Sequence, residues 1–192
     1  MDKKIFADEA ILRQRKEMVE EVDIESDDGV YLKGERVSFE RVEMIEGYSI
    51  VLPNLFQILS EEHAMIKYPS SHRPDVIFTT FDETVNLGFT VFPGGSEITD
   101  VYQTTHQVME SLGEAKEAGV VLVGTCSMLE ELEGCWFAYR TNAIDGAIYN
   151  MLLTLVVEGM VLQSSFNCLL RDAGEWNPVV LEMWRTIERI KK

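Results

Sequence analysis

The chain has no cysteine framework. Its three cysteines, Cys126, Cys135 and Cys168, are odd in number and show no CxxC spacing. They read as small buried hydrophobes in a reducing compartment rather than as disulfide partners. Histidine is scarce as well. His63, His72 and His106 form no HxxxH or HExxH pair, the spacing that sets two metal ligands on one helical face, so no metal site and no cofactor is expected. Basic charge is in deficit: 17 Lys and Arg stand against 33 Asp and Glu, a formal net charge of -16. A surface of that sign repels phosphate backbones and anionic headgroups, which argues against nucleic acid and membrane surfaces as partners. Long apolar runs are missing too. The stretch at 151–157 (MLLTLVV) falls far short of the roughly 20 residues a spanning helix requires. The opening MDKKIFADEAILRQRKEM alternates charges with isolated apolar residues and lacks the apolar centre of a secretory signal. The expectation is an unexported, cytoplasmic protein.

What is present is the material for one core. Across 192 residues, 46% are hydrophobic, with nine Phe, six Tyr and three Trp, enough to argue against wholesale disorder and for a single domain. The acidity is spread along the chain rather than gathered in a tail, as suits a solvated surface. Residues 1–28 read as a polar, loosely helical extension ending in DIESDDG, and 29–192 as one domain.

From Val30 the texture becomes short and β-rich. VYL, RVSFERVEMI with period-two alternation, and YSIVLP ending at Pro53 read as strands. VIFTTF (76–81) and LGFTVF (87–92), separated by DETVN, make a hairpin. A helix follows, with Ile98, Val101, Tyr102, Thr105, Val108, Met109 and Leu112 on one apolar face and Ser96 as its cap. VVLVGT, CWFAYRT, AIYNMLLTLVV and MVLQSSFNCLL then form four apolar runs with short connections, an antiparallel meander. A last helix is predicted to start with Asn177 as cap and Pro178 at its first position, burying Val180, Trp184 and Ile187. The order predicts an α+β fold, an antiparallel sheet whose buried face is covered by the two helices.

No motif compels a reaction. PGGS (93–96) lacks the spacing and Lys of a phosphate loop, and Glu97 and Asp100 place negative charge where a phosphate would sit. LEELEG (129–134) lacks the alternating Asp and Asn of a calcium loop and reads as an exposed turn. Cys126 and Cys168 lie within apolar runs, where a thiolate is disfavoured. They would serve a thiol-dependent enzyme or small hydrolase only if the fold brought a distant histidine to them. KYPSSHRPDVIFT is the most unusual stretch. Its two prolines make either a rigid connector whose Arg73 satisfies backbone carbonyls, or a presented loop in which Tyr68, His72 and Arg73 contact a partner. Tyr149 and Trp176 carry the same two readings, packing or partner contact. A cradle for a small apolar ligand between sheet and helix is a further possibility, since pocket-lining and core residues look alike in sequence.

KYPSSHRPDVIFTTFDETVNLGF, AIDGAIYNMLLTL, SSFNC and EWNPVVLEMWRTI together resemble a group of uncharacterised bacterial proteins of the Mog1/PsbP-like fold, over roughly residues 45–190. The resemblance implies an antiparallel sheet sandwiched by helices, in an α/β/α arrangement whose better-known members bind protein partners and share no catalytic apparatus. Pro69, Arg73, Pro74, Asp145, Tyr149, Asn150, Phe166, Asn167, Cys168 and Trp176 are the matching positions, as structural landmarks or as a binding surface. The expected function is therefore a non-enzymatic protein-interaction module with an unknown protein partner.

Overall fold

Val30–Leu32 (β1) and Glu35–Val37 (β2) pair across a two-residue turn in which Lys33 and Gly34 both have positive φ, 51° and 80°. That is the turn whose twist matches a right-twisted ribbon. The computed structural model describes residues 22–26, 29–45, 47–70, 73–92, 100–114, 119–129, 132–143, 146–157 and 160–190. Phe39–Ile45 (β3), Tyr48–Pro53 (β4) and the short Glu188–Arg189 (β12) make a three-stranded antiparallel sheet in the order β12-β4-β3. β4 has all six residues buried. β3 carries a register shift between Glu43 and Ile45, the mark of a bulge, and Met44 between them is buried.

The larger sheet has seven strands, all paired antiparallel, in the order β5-β6-β7-β11-β10-β9-β8. They are Phe56–Ile58 (β5), Val76–Thr80 (β6), Asn86–Phe92 (β7), Val121–Leu129 (β8), Gly134–Ala143 (β9), Gly146–Val157 (β10) and Met160–Leu169 (β11). The hairpin and the four-stranded meander lie where their short connections placed them.

Helices cover both faces. Val101–Glu114 (α2) lies on one, packing Val101 and Met109 against Cys126, Cys135 and Phe137. Ala173–Arg185 (α3) lies on the other with the three-stranded sheet, where Trp176, Val180 and Trp184 meet Ile50, Leu52, Met151, Leu153 and Phe166. This corrects the expectation of one buried face under two helices. The reason lies in β10: Leu153 and Leu155 point to α3, while Leu152 and Val156 point to α2. A near-continuous apolar run is the mark of a strand covered on both sides.

Two helix boundaries also differ. α3 begins at Ala173, after a 3-10 turn at Leu170–Asp172, so Pro178 sits inside the helix rather than at its start. A proline there withholds an N–H from the carbonyl four residues back. Burial of five of the helix's residues, both tryptophans included, outweighs that loss. For α2, Asp100 accepts from the Gln103 N–H at 2.9 Å, a capping contact, and Tyr102, assigned to the buried face, is 45% exposed. Ser96 and the PGGS segment lie outside the described residues. A third helix, Glu61–Lys67 (α1), was not anticipated.

Candidate interaction surface

α1 is built from a compact local signal. Ser60 caps it by accepting from the His63 N–H, Glu61 and Glu62 complement the dipole of its first turn, and Lys67 that of its last. Only Ala64 of the helix is buried, against Leu59, Ile77 and Tyr68. Seven residues are too few to hold a helix in water, so α1 depends on what anchors it.

The anchor is a row of polar side chains on the α2-facing side of the sheet. Thr79, Asn86, Asn167 and Asn150 stand opposite one another on β6, β7, β11 and β10. Thr79 Oγ1 donates to Asn86 Oδ1 at 2.8 Å, and Asn86 Nδ2 donates to Asn167 Oδ1 at 2.9 Å. Asn167 Nδ2 donates to the Tyr68 hydroxyl at 3.3 Å, and Lys67 Nζ to Asn86 Oδ1 at 2.9 Å. Asn150 turns instead to Thr141 Oγ1. Burial pushes the Tyr68 hydroxyl above its ordinary pKa, against the opposing hydrogen bond from Asn167. Desolvation lowers that of Lys67, opposed by Glu83 and Asp82.

The β6–β7 turn completes the arrangement. Asp82 Oδ1 accepts from Thr80 Oγ1, Thr84 Oγ1 and the Thr84 N–H, and those bonds, led by Thr80, hold its carboxyl below the usual range. Glu83 adopts φ 54°, a left-handed conformation that costs a non-glycine residue about 1–2 kcal/mol. Its carbonyl accepts from Lys67 Nζ and from Asn86 Nδ2, and its carboxylate meets His63 Nδ1 at 2.8 Å. The turn and α1 are thereby clamped together. On this clamped scaffold Phe81 is 84% exposed, Ile66 75% and Met65 50%.

The residues expected from sequence separate. Tyr68 joins the polar row, and Arg73 follows the same helix, half-buried, with its N–H donating to the Ser70 carbonyl. Pro74 lies on the sheet over Gly88, whose missing side chain leaves room for it: a Cβ there would stand 2.6 Å from Pro74 Cγ. His72 lies outside the described residues. Tyr149 and Trp176 are on the opposite face, 7% and 2% exposed, within the α3 core. The Tyr149 hydroxyl reaches Asn177 Oδ1 at 3.5 Å, and burial raises its pKa to about 12. The sequence reading missed Lys67, Glu83 and the exposed apolar residues. Ala64, Met65 and Ile66 in a row on a seven-residue helix were the available signal, because a single helix face cannot bury three consecutive residues.

The thiols stand apart from this surface. All three are buried, and desolvation raises Cys126 and Cys168 to a pKa of about 12, leaving almost no nucleophilic thiolate at neutral pH. His63 and His106 are paired with Glu83 and Glu110. Two surface depressions flank β3, one lined by Arg36, Phe39, Arg41 and Val51 among others, the other by Arg41, Val42, Glu188 and Ile190 among others. Among the described residues no helix is long and apolar enough to cross a membrane.

Comparison with solved structures places the architecture. The cyanobacterial PsbP of Synechocystis superposes with a TM-score of 0.59 at 13% identity, covering 84% of this chain and 98% of its own. The Ran-binding protein Mog1p of Saccharomyces cerevisiae gives 0.55 at 10% identity, covering 81% and 97%. The fold is Mog1/PsbP-like. LpqN, involved in cell envelope biogenesis in Mycobacterium tuberculosis, gives 0.50 at 12% identity, covering 83% and 98%. No protein-family model and no curated protein sequence matches the chain. At these identities the likeness is one of fold, and function has to be argued from the surface.

Proposed function

We propose that the chain is a non-enzymatic, cytoplasmic protein-interaction module: one domain over residues 29–192 preceded by a polar extension. The observation that carries this reading is the set of exposed large apolar side chains, Met65, Ile66 and Phe81, on the hydrogen-bonded scaffold of α1 and the β6–β7 turn. Scattered exposed apolar residues are ordinary, whereas a group of them at one end of a molecule marks a contact surface. Preorganisation strengthens the case, because a rigid surface loses little entropy on binding. Tyr68 and Arg73 border this end through the chain that leaves α1. The Mog1-like fold supports the reading by analogy, since Mog1p is itself a Ran-binding protein.

Affinity purification on the full chain, followed by reconstitution with the purified candidate, tests the reading. A stoichiometric complex in light scattering is expected. Turnover in a substrate screen with no such complex would overturn it.

A further inference from the structure

We infer that the α1 end of the sheet docks a basic, apolar-bearing segment of a partner protein, a conclusion that rests on the interaction-module reading and names the partner's chemistry. α1 turns only Ala64 inward and so presents Met65 and Ile66 to solvent. Glu83, two residues beyond Phe81, holds both His63 and Lys67 of α1, which brings the apolar residues of helix and turn to one end. β5 leads through Leu59 and Ser60 directly into the helix, while its Ile58 pairs with Phe78 and shares the α3 side of the sheet, apart from this surface.

The rim decides what can sit there. Glu61 and Glu62 on α1 and Asp82 and Glu83 on the turn share the elements that carry the apolar residues, and the cations at this end are Lys67, tied to Glu83 and Asn86, and Arg73, which follows the helix. With His63 neutral, those four carboxylates against Lys67 and Arg73 give this end a net charge of -2 on a chain of net charge -16. A second copy of the chain, or an anionic bilayer, would bring like charge against it. A segment with apolar anchors flanked by Lys or Arg would fill the centre and neutralise the rim, the usual division of an interface into apolar core and charged border. Strand addition is the weaker mode of docking. β5 is only three residues long, and short edge strands template pairing poorly. Side-chain contact with α1 and the turn is the mode the geometry favours.

The test uses the full chain and three synthetic amphipathic peptides: one with Leu and Phe on one face and Lys and Arg on the other, one with Glu in place of the bases, and one with Ser in place of the apolar anchors. Binding is read by fluorescence anisotropy, for the native chain and for the double variant Phe81→Ser/Ile66→Ser. Both substituted side chains are exposed, and an unchanged thermal midpoint verifies the variant's fold. The basic peptide should bind at least about ten-fold more tightly than either control, and the double variant should lose about ten-fold, roughly 1.4 kcal/mol. Equal binding of the basic and acidic peptides overturns the proposal, as does full binding by the folded variant. Sedimentation showing self-association that the variant abolishes overturns it in favour of a second copy. If a purified partner binds native chain and variant equally, the interaction-module reading stands and this surface is the part that fails.

Discussion

Asn86 is the residue on which the α1 scaffold turns. Only 2% exposed, it accepts from Thr79 and Lys67 and donates to Asn167 and to the Glu83 carbonyl. Replacing it by Ala would take a partner from buried Thr79 and from part-buried Lys67 and Asn167 at once, and leaving a buried polar group unpaired costs about 1–3 kcal/mol. Asn86→Ala should therefore lower stability by about 2–3 kcal/mol, read from the urea midpoint at unchanged slope. Asp82 makes a prediction in pH. Its folded pKa is depressed below the ordinary 3.8, first by the Thr80 hydroxyl. The stability it contributes is thus present above its unfolded pKa and is lost as pH falls through the folded value. The stability difference between native chain and Asp82→Asn should be constant at neutral pH and shrink below about pH 4. A difference that grows on acidification would contradict the assignment.

At the level of elements, the close approach of the 68–74 connection to the sheet is set by one glycine. A Cβ on Gly88 would meet Pro74 Cγ at 2.6 Å and Ser165 Oγ at 2.9 Å, with the Pro74 ring unable to swing aside as a flexible chain end would. Overpacking of this kind costs about 1–3 kcal/mol. Gly88→Ala is expected to destabilise by that amount, and Pro74→Ala in the same chain to restore part of it. Additive losses in a double-mutant cycle would show that the two do not touch in the way described. The same connection explains how much of the site was legible. Two prolines in seven residues marked it as unusual, and Tyr68 lies within it. The partner of Tyr68 is Asn167, 99 residues away, a pairing that only the β7–β11 register creates. α1 went unread because its apolar residues follow no helical stripe, and such a stripe is what periodicity detects.

The whole molecule carries a charge of -16, so its folded state works against its own field. Screening by salt, with a Debye length of about 8 Å at 0.15 M, should raise the thermal midpoint between low-salt buffer and 0.5 M NaCl. A falling midpoint in calorimetry would mean that ion pairs such as Lys33 with Asp172, 3.0 Å apart, outweigh the repulsion. At this scale the sequence by itself determined a good deal. Period-two patterning and short connections specified the hairpin and the antiparallel meander, because those are local rules of backbone geometry and turn chemistry. The charge balance likewise set the sign of the molecule's field. Tertiary structure alone decided which face each helix covers, that α3 starts before Pro178 because Trp176 must be buried, and that Tyr149 and Trp176 lie across the sheet from Tyr68. It also decided that Met65, Ile66 and Phe81 remain outside. Whether an apolar side chain ends in the core or on the surface depends on what lies across from it, and that is fixed by strand register between segments far apart in the chain rather than by neighbours along it.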